Sequence, residues 1–551
     1  MKLARVFSDH MVLQRQRPIC IWGTCDAAQT VAVRLDGREI CRESIEPGDF
    51  TLLLPAQEAA EDVLLEIGDI RLEHVDIGEV WVAGGQSNME FMMQYDAEGD
   101  AEIAAAADPH LRTYIVGQYS WTGEREAGYK ARNPWDRWLT WQPENAPVLP
   151  ATAIYFAKEL RAQGIPVGIL SCNWGGTSAA AWTDRAVLEA DPVLRVYPDE
   201  FDRLTASLDL PRFQAIRDAV RRAMASPESQ KARDMIMKTT HHPSRLEKMM
   251  MAAAQKPQEA VDGPSSAPEK SGLAGLPREE LMREGPGDKS EPGSLYTNML
   301  LEIAGYTARG VIWYQGETDE NKAELYARLF GTMIGCWRQT WQKRDPAQEK
   351  LPFLFVQLAP YGIWMTNTSV NYPELRRQQQ LAADTVPDVW MTSIGDVGNV
   401  YDIHPKEKRP VGHRLALLAR KYIYGEDLLA DAPGASGAER EADAVRIRFE
   451  NGTGLHLVPR DFTSYNGFAA EEIEPSLLPP VLGGVGGLCV LAGGAAVEDA
   501  GCSVEADALV IRSPAFRNAA EIRIEFAQTP FYQVNLLNGA EIPVKPFVLT
   551  V

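Results

Sequence analysis

The stretch Val80-Trp81-Val82-Ala83-Gly84-Gly85-Gln86-Ser87-Asn88-Met89-Glu90-Phe91 joins an unbroken apolar run to a double glycine and then to a serine. Apolar residues without polar alternation read as a strand covered on both faces, which belongs in a parallel sheet between layers of helix. In an open parallel sheet, ligands bind outside the carboxyl ends of the strands, where a tight glycine turn exposes the next side chain above the sheet edge. Ser87 stands at that place. A helix starting at about Asn88 would turn its unpaired N–H groups and positive dipole end towards the serine oxygen, an arrangement that suits a nucleophile. Read locally, Ser87 is equally a helix cap. Met89 occupies the position where the α/β-hydrolase elbow requires glycine, which disfavours that fold.

The same texture recurs in Val167-Gly168-Ile169-Leu170, Gly310-Val311-Ile312-Trp313-Tyr314, Phe353-Leu354-Phe355-Val356 and Val389-Trp390-Met391-Thr392. Amphipathic helices are expected at Ala151–Gln163, stopped by Gly164, and at Lys406–Tyr424. Residues 76–430 therefore read as an α/β unit with a parallel sheet covered by helices. It is interrupted at about 207–293: Ser207 to Met250 looks helical and charged, and Lys256 to Gly293 is crowded with Pro, Gly, Ser and Glu, the composition of a mobile insertion. On either side the pattern changes to period-two alternation, in Val31-Ala32-Val33-Arg34-Leu35 and Phe50-Thr51-Leu52-Leu53-Leu54 before it, and in Val445-Arg446-Ile447-Arg448-Phe449 and Ile522-Arg523-Ile524-Glu525-Phe526 after it. Two β-sandwich-like domains, 1–75 and 431–551, are expected to flank the α/β unit.

The 551 residues carry 55 Lys plus Arg against 76 Asp plus Glu, a formal charge of −21 that repels nucleic acid and anionic lipid. Seven cysteines with no CxxC spacing fit a reduced compartment and supply no metal site. Met1 to His10 has a basic start but no apolar run of signal-peptide length, so a cytoplasmic location is expected. The uncharged Leu477–Val497 stretch has six glycines and Pro479-Pro480, which read as short strands and turns and not as a span.

A serine nucleophile needs a base. His404, in Tyr401-Asp402-Ile403-His404-Pro405, follows the last parallel strand and has an acid two residues away that could hold its tautomer. Asp396 is an alternative acid. Of the other histidines, His10, His74 and His456 fall in the β regions, His241 and His242 in the insertion, His413 in a helix, and His110 after no legible strand. Asn173-Trp174-Gly175-Gly176-Thr177-Ser178 follows another strand, and its glycines would let backbone N–H groups approach an oxyanion; an ordinary βα turn explains it equally. Gln315, in Trp313-Tyr314-Gln315-Gly316-Glu317, has an amide that could join such a hole or simply tie loops together. Trp174, Trp182, Trp313 and Tyr314 could stack on a sugar ring or fill the core.

In their order these blocks resemble the SGNH hydrolase superfamily, and within it the sialate O-acetylesterase family of carbohydrate esterases. The resemblance runs through Phe7-Ser8-Asp9-His10-Met11-Val12-Leu13-Gln14-Arg15, Ile21-Trp22-Gly23, Gly78-Glu79-Val80-Trp81, Gly85-Gln86-Ser87-Asn88-Met89, Gly175-Gly176-Thr177, Trp313 to Glu317, Asp402-Ile403-His404-Pro405-Lys406 and Gly412 to Leu417. It implies that Ser87 is the nucleophile, His404 the base and Asp402 its acid, that the Ser87 amide, the Gly175-Gly176 turn and Gln315 form the oxyanion hole, and that Trp174, Trp313, Tyr314 and Glu317 are candidates for substrate binding. It also implies a metal-free, cofactor-free esterase acting on an acetylated carbohydrate, O-acetylated sialic acids first. Two features depart from the superfamily pattern: glutamine stands at 315, where asparagine is usual, and Asp402 is two residues before the histidine instead of three, which keeps Asp396 in play. Acetylxylan or other acetylated-glycan esterase activity is the alternative, and a non-catalytic carbohydrate-binding protein the alternative of another class.

Overall fold

A computed structural model describes the chain apart from residues 125–135, 225, 247–275, 282, 347–349 and 366. Its framework is a seven-strand path ordered Trp138–Trp141, Asp108–Ile115, Val167–Asn173, Ile70–Gly85, Gly310–Tyr314, Phe353–Val356 and Val389–Thr392. All neighbours pair in parallel except the antiparallel edge strand Trp138–Trp141. The five expected apolar segments all lie in this path, and Gly310–Tyr314, Phe353–Val356 and Val389–Thr392 have the expected bounds.

Ile70–Gly85 is the strand at which the chain changes direction across the sheet. The next strands, Asp108–Ile115 and Val167–Asn173, lie on one side of it, and Gly310–Tyr314 and its successors on the other. Asn173 and Tyr314 both pair with Gly85, so three strand ends finish level. The crevice between diverging connections at such a switch point is where ligands of open α/β sheets sit. Gly85 makes the closeness possible: its φ is 134°, and a Cβ there would fall 2.2 Å from the Tyr314 carbonyl oxygen.

The sequence hid one strand. Asp108–Ile115 contains Pro109, His110, Arg112 and Thr113, which read as polar. Arg112 is nonetheless 2% exposed: its guanidinium meets the buried Asp76 carboxylate at 2.8 Å, and His110 Nδ1 lies 2.9 Å from that same carboxylate. A paired, hydrogen-bonded charge can be buried where a lone one cannot. His110 thus lies within a strand, against the expectation from sequence.

Ala151–Arg161 forms the first expected helix, and Gly164 in a left-handed conformation follows it. The second begins at Arg409 rather than Lys406, because Pro410 occupies its first turn and Pro405 disfavours helix at the residue before it. In the interruption, helices occupy Leu210–Met224 and Pro227–Lys238. Its Pro- and Gly-rich part lies partly outside the described residues, but residues 283–293 differ from a mobile segment. Gly285 packs on the Phe213 ring, Gly293 donates to the Ala180 carbonyl at 3.0 Å, and Lys289 donates to the Gly175 carbonyl. Small residues allow close packing here that composition alone does not reveal.

The amino-terminal strands are continuous with the framework. Ile70–Gly85 pairs with Ala60–Ile67 at its start and with Val12–Gln14 in its middle, and one apolar core runs from Val6 to Ile542. Towards the carboxyl end, two four-stranded antiparallel sheets close on their own cluster, with Val445, Ile447, Leu509, Ile511, Ile522, Ile524 and Phe526 at its centre. Leu477–Val497 is built of short strands and turns, and among the described residues no helix is long and apolar enough to cross a membrane.

That carboxyl-terminal part grips the connection after the last parallel strand. Asn466 Oδ1 accepts the Val400 N–H at 3.1 Å, Gln533 Nε2 donates to the Gly398 carbonyl at 3.3 Å, and Val534 N–H donates to the Gly395 carbonyl at 3.0 Å. Val400 and Tyr401 pack with Tyr465, Ile473 and Phe531. Deeper, the fully buried Arg376 donates to the carbonyls of Leu358, Thr529 and Pro530 at 3.1, 3.2 and 2.9 Å, its guanidinium 4.7 Å from the Tyr532 ring centre.

Candidate active site

Ser87 is the first residue of the four-residue helix Ser87–Glu90, which starts one residue earlier than the sequence predicts. His404 arrives from the far side of the sheet on the connection that the carboxyl-terminal sheets grip. Its Nε2 lies 3.0 Å from Ser87 Oγ, within hydrogen-bond reach. Asp402 Oδ1 accepts the His404 backbone N–H at 2.8 Å and stands 3.3 Å from His404 Nδ1. This doubled contact is possible because residues 402–405 form a turn and not a helix.

Asp396 is engaged elsewhere. Both its carboxylate oxygens meet the Arg414 guanidinium at 2.7 Å, which anchors the start of the connection to the Arg409–Tyr422 helix.

Burial by itself would push the Asp402 carboxyl up, but contact with His404 and the Lys406 ammonium, 2.7 Å from Oδ2, hold it below the usual carboxylate value. Burial pushes His404 below its ordinary value; Asp402 opposes this, and the positive charges of Lys406 and Lys408 add to it. The imidazole is therefore kept neutral and able to accept a proton. Trp364 stands edge-on to the imidazole with ring centres 5.0 Å apart, and Phe91 lies 6.4 Å away on a roughly parallel plane.

Several expected residues take other parts. The Gly175 turn does lie against the serine: a Cβ on Gly175 would come 3.0 Å from Ser87 Cβ. Its N–H, however, donates to Glu90 Oε2 at 2.6 Å. Gln315 is completely buried, and its Nε2 donates to the Thr177 carbonyl at 3.0 Å and to Asp319 Oδ2 at 2.6 Å, so both amide hydrogens are committed. Gln315 ties loops together, the plainer of the two readings its sequence allowed. Trp313 and Tyr314 have no exposed surface, and Trp313 packs among Trp182, Phe330 and Trp337. Trp174 is 7% exposed. These rings are core; for Trp313 and Tyr314 the cause is that a strand covered on both faces gives its aromatic residues nowhere else to go.

Glu317 is buried, and its Oε1 accepts from Asn88 Nδ2 at 2.6 Å; burial pushes its carboxyl up. The sequence offers no sign of its companion Lys408, since Lys406-Glu407-Lys408-Arg409 reads as a solvated charged run. Lys408 is instead fully buried, with Nζ 2.6 Å from Asn88 Oδ1.

Residues 282–419 match the family model described as carbohydrate esterase, sialic acid-specific acetylesterase. The chain is 25% identical over 467 residues to the sialate O-acetylesterase of Rattus norvegicus, covering 77% of this chain and 74% of that protein. It is 23% identical over 459 residues to the sialate O-acetylesterase of Homo sapiens, covering 77% and 71%. A crystal structure of a carbohydrate acetylesterase from Xanthomonas citri superposes with a TM-score of 0.66 at 26% identity, covering 100% of this chain and 99% of that one. A matched segment that holds Glu317, Asp402 and His404, and a shared architecture from end to end, lead to one conclusion: the chain is similar to the sialate O-acetylesterase family of carbohydrate esterases and is a carboxylic ester hydrolase.

Proposed function

We propose that the chain removes O-acetyl groups from sugars, O-acetylated sialic acids first, by a Ser-His-Asp acyl-enzyme mechanism on an SGNH-hydrolase-like fold. The observation that carries this reading is the alignment of Ser87 Oγ, His404 and Asp402 at 3.0 and 3.3 Å. His404 Nε2 takes the Ser87 proton as Oγ attacks the acetyl carbonyl, and Asp402 steadies the imidazolium that forms. The imidazolium then protonates the departing sugar oxygen. Water repeats the sequence on the acetyl-serine, releasing acetate and restoring Ser87. In this reading the oxyanion donors are the backbone N–H of Ser87 and an N–H of the Gly175-Gly176 turn, that of Gly175 only when Glu90 releases it. Trp364, only partly buried beside the imidazole, offers its face to the sugar in place of the buried aromatic residues. In the proposed division, residues 1–75 brace the strand that carries Ser87, 76–430 hold the chemistry and 431–551 brace the His404 connection.

Acetate release from O-acetylated sialic acids and acetylated xylo-oligosaccharides, measured side by side, tests the reading. Sialates are expected to be the better substrates; preference for xylo-oligosaccharides would move the substrate to plant glycans, and acetate from neither would overturn the reading.

The direction of the His404 shift sets the pH profile. The base works when neutral, and its pKa lies below the ordinary imidazole value of about 6.5, so activity persists as pH falls through that value and is lost only below it. A kcat/KM profile is expected to show its acid limb under pH ~6.5; a limb above that value would contradict the environment described for His404.

A further inference from the structure

Asn88, immediately after the nucleophile, is 1% exposed and has every polar atom of its side-chain amide engaged. Its Oδ1 accepts from Lys408 Nζ at 2.6 Å, and its Nδ2 donates to Glu317 Oε1 at 2.6 Å and to the Ile403 carbonyl at 3.0 Å. These partners come from two separate connections. Glu317 follows the Gly310–Tyr314 strand, Ile403 precedes the base, and Lys408 precedes the Arg409–Tyr422 helix. Lys408 Nζ lies 4.6 Å from the centre of the Phe91 ring and 5.4 Å from that of Tyr314, and the Lys408 backbone N–H donates to Asp96 Oδ2 at 2.9 Å.

We propose that Lys408, acting through Asn88 with Glu317 opposite, is a positioning residue that latches the Ser87 turn to the His404 turn. Amide polarity fixes the way the Asn88 side chain faces. An amide turned over would point its NH₂ at an ammonium and its oxygen at a carboxylate and a carbonyl, so all three partners favour the same orientation. In that orientation Nδ2 is aimed at the carbonyl of the residue before His404, and the 3.0 Å separation of Ser87 Oγ and His404 Nε2 is held by a bond between the residues next to each of them. Burial lowers Lys408 to about 7, with Lys406 adding to the effect and Asp96, Glu317 and Asp402 opposing it.

The latch rests on the Ser-His-Asp reading above and has its own failure mode. Lys408→Met removes the ammonium and keeps the length; Asn88→Asp keeps the shape and sets a carboxylate against Glu317 and the Ile403 carbonyl. Each is expected to lower kcat on an acetyl ester by about 100-fold, the scale of an ångström's misplacement, with KM within a few-fold of wild type. A structural role alone would lower the melting temperature or the active fraction and leave the kcat of the folded enzyme unchanged. Circular dichroism and active-site titration keep these apart, and if Lys408→Met does not fold, Asn88→Asp decides. Either folded variant with wild-type kcat, or a loss confined to KM, overturns the latch. Ser87→Ala in the same assay separates the two ideas: if it stays active the triad reading fails, whereas an inactive Ser87→Ala beside a fully active Lys408→Met removes only the latch.

Discussion

Ser87→Ala is expected to lower ester turnover by about a million-fold, the loss seen when a serine protease is stripped of its nucleophile, because the members of such a set act as a unit. The fold should survive. The Ser87 side chain makes its hydrogen bond to His404, and the loss of one such bond costs on the order of 1 kcal/mol. Gly85, whose backbone sets the turn, is untouched, and the helix keeps Asn88 and Met89 buried behind the serine. The check is a pair of measurements on one preparation: thermal unfolding, expected within a few degrees of wild type, and acetate release, expected at background. A folded Ser87→Ala protein with substantial turnover would sink the acyl-enzyme mechanism.

The second large effect is expected at Asp402. Asp402→Asn should reduce kcat by ~10⁴-fold, as for the aspartate of the serine-protease triad. The local contacts say why asparagine fails. One carboxylate oxygen serves both the His404 backbone N–H and the Nδ1 side of the ring, and the other meets the Lys406 ammonium. An amide has one oxygen, so one orientation faces NH₂ to the ammonium and the other faces NH₂ to the imidazole, forcing the tautomer that cannot take the serine proton. Asp396→Asn is expected to act on stability instead, since it breaks the two-pronged contact with Arg414 and touches neither Ser87 nor His404. Measuring both variants at saturating substrate decides the assignment: a larger kcat loss for Asp396→Asn would give it the role.

The architecture was legible in the sequence wherever burial imposes a simple pattern. Strands covered on both faces must be apolar throughout, so Val80 to Ala83 and its four counterparts declare themselves, and the double glycine locates Ser87 at a strand end. What was hidden depends on pairing between distant residues. Arg112 disguises a strand because its partner Asp76 lies on another one. Lys408 looks solvated because Asn88 and Glu317, which make its burial tolerable, come from connections far away in sequence. The partners of the Gly175 turn and of Gln315 are hidden for the same reason, since nothing local announces that Glu90 takes the Gly175 N–H or that Asp319 and Thr177 take both hydrogens of Gln315.

The grip of Asn466, Gln533 and Val534 on the connection that carries Asp402 and His404 has a consequence for the order in which the enzyme comes into being. Ribosomes release a chain from its amino end at about 5–20 residues per second, and domains fold as they emerge. The serine, its strand and the amino-terminal brace leave the tunnel early. Residues 466–534, which hold the His404 connection in place, follow after a delay of tens of seconds. Throughout that interval the nascent polypeptide carries Ser87 while the His404 connection is not yet fastened, so under the proposed mechanism hydrolytic capacity arrives only once residue 534 has emerged, and termination before it yields polypeptides that hold the serine without a fixed His404.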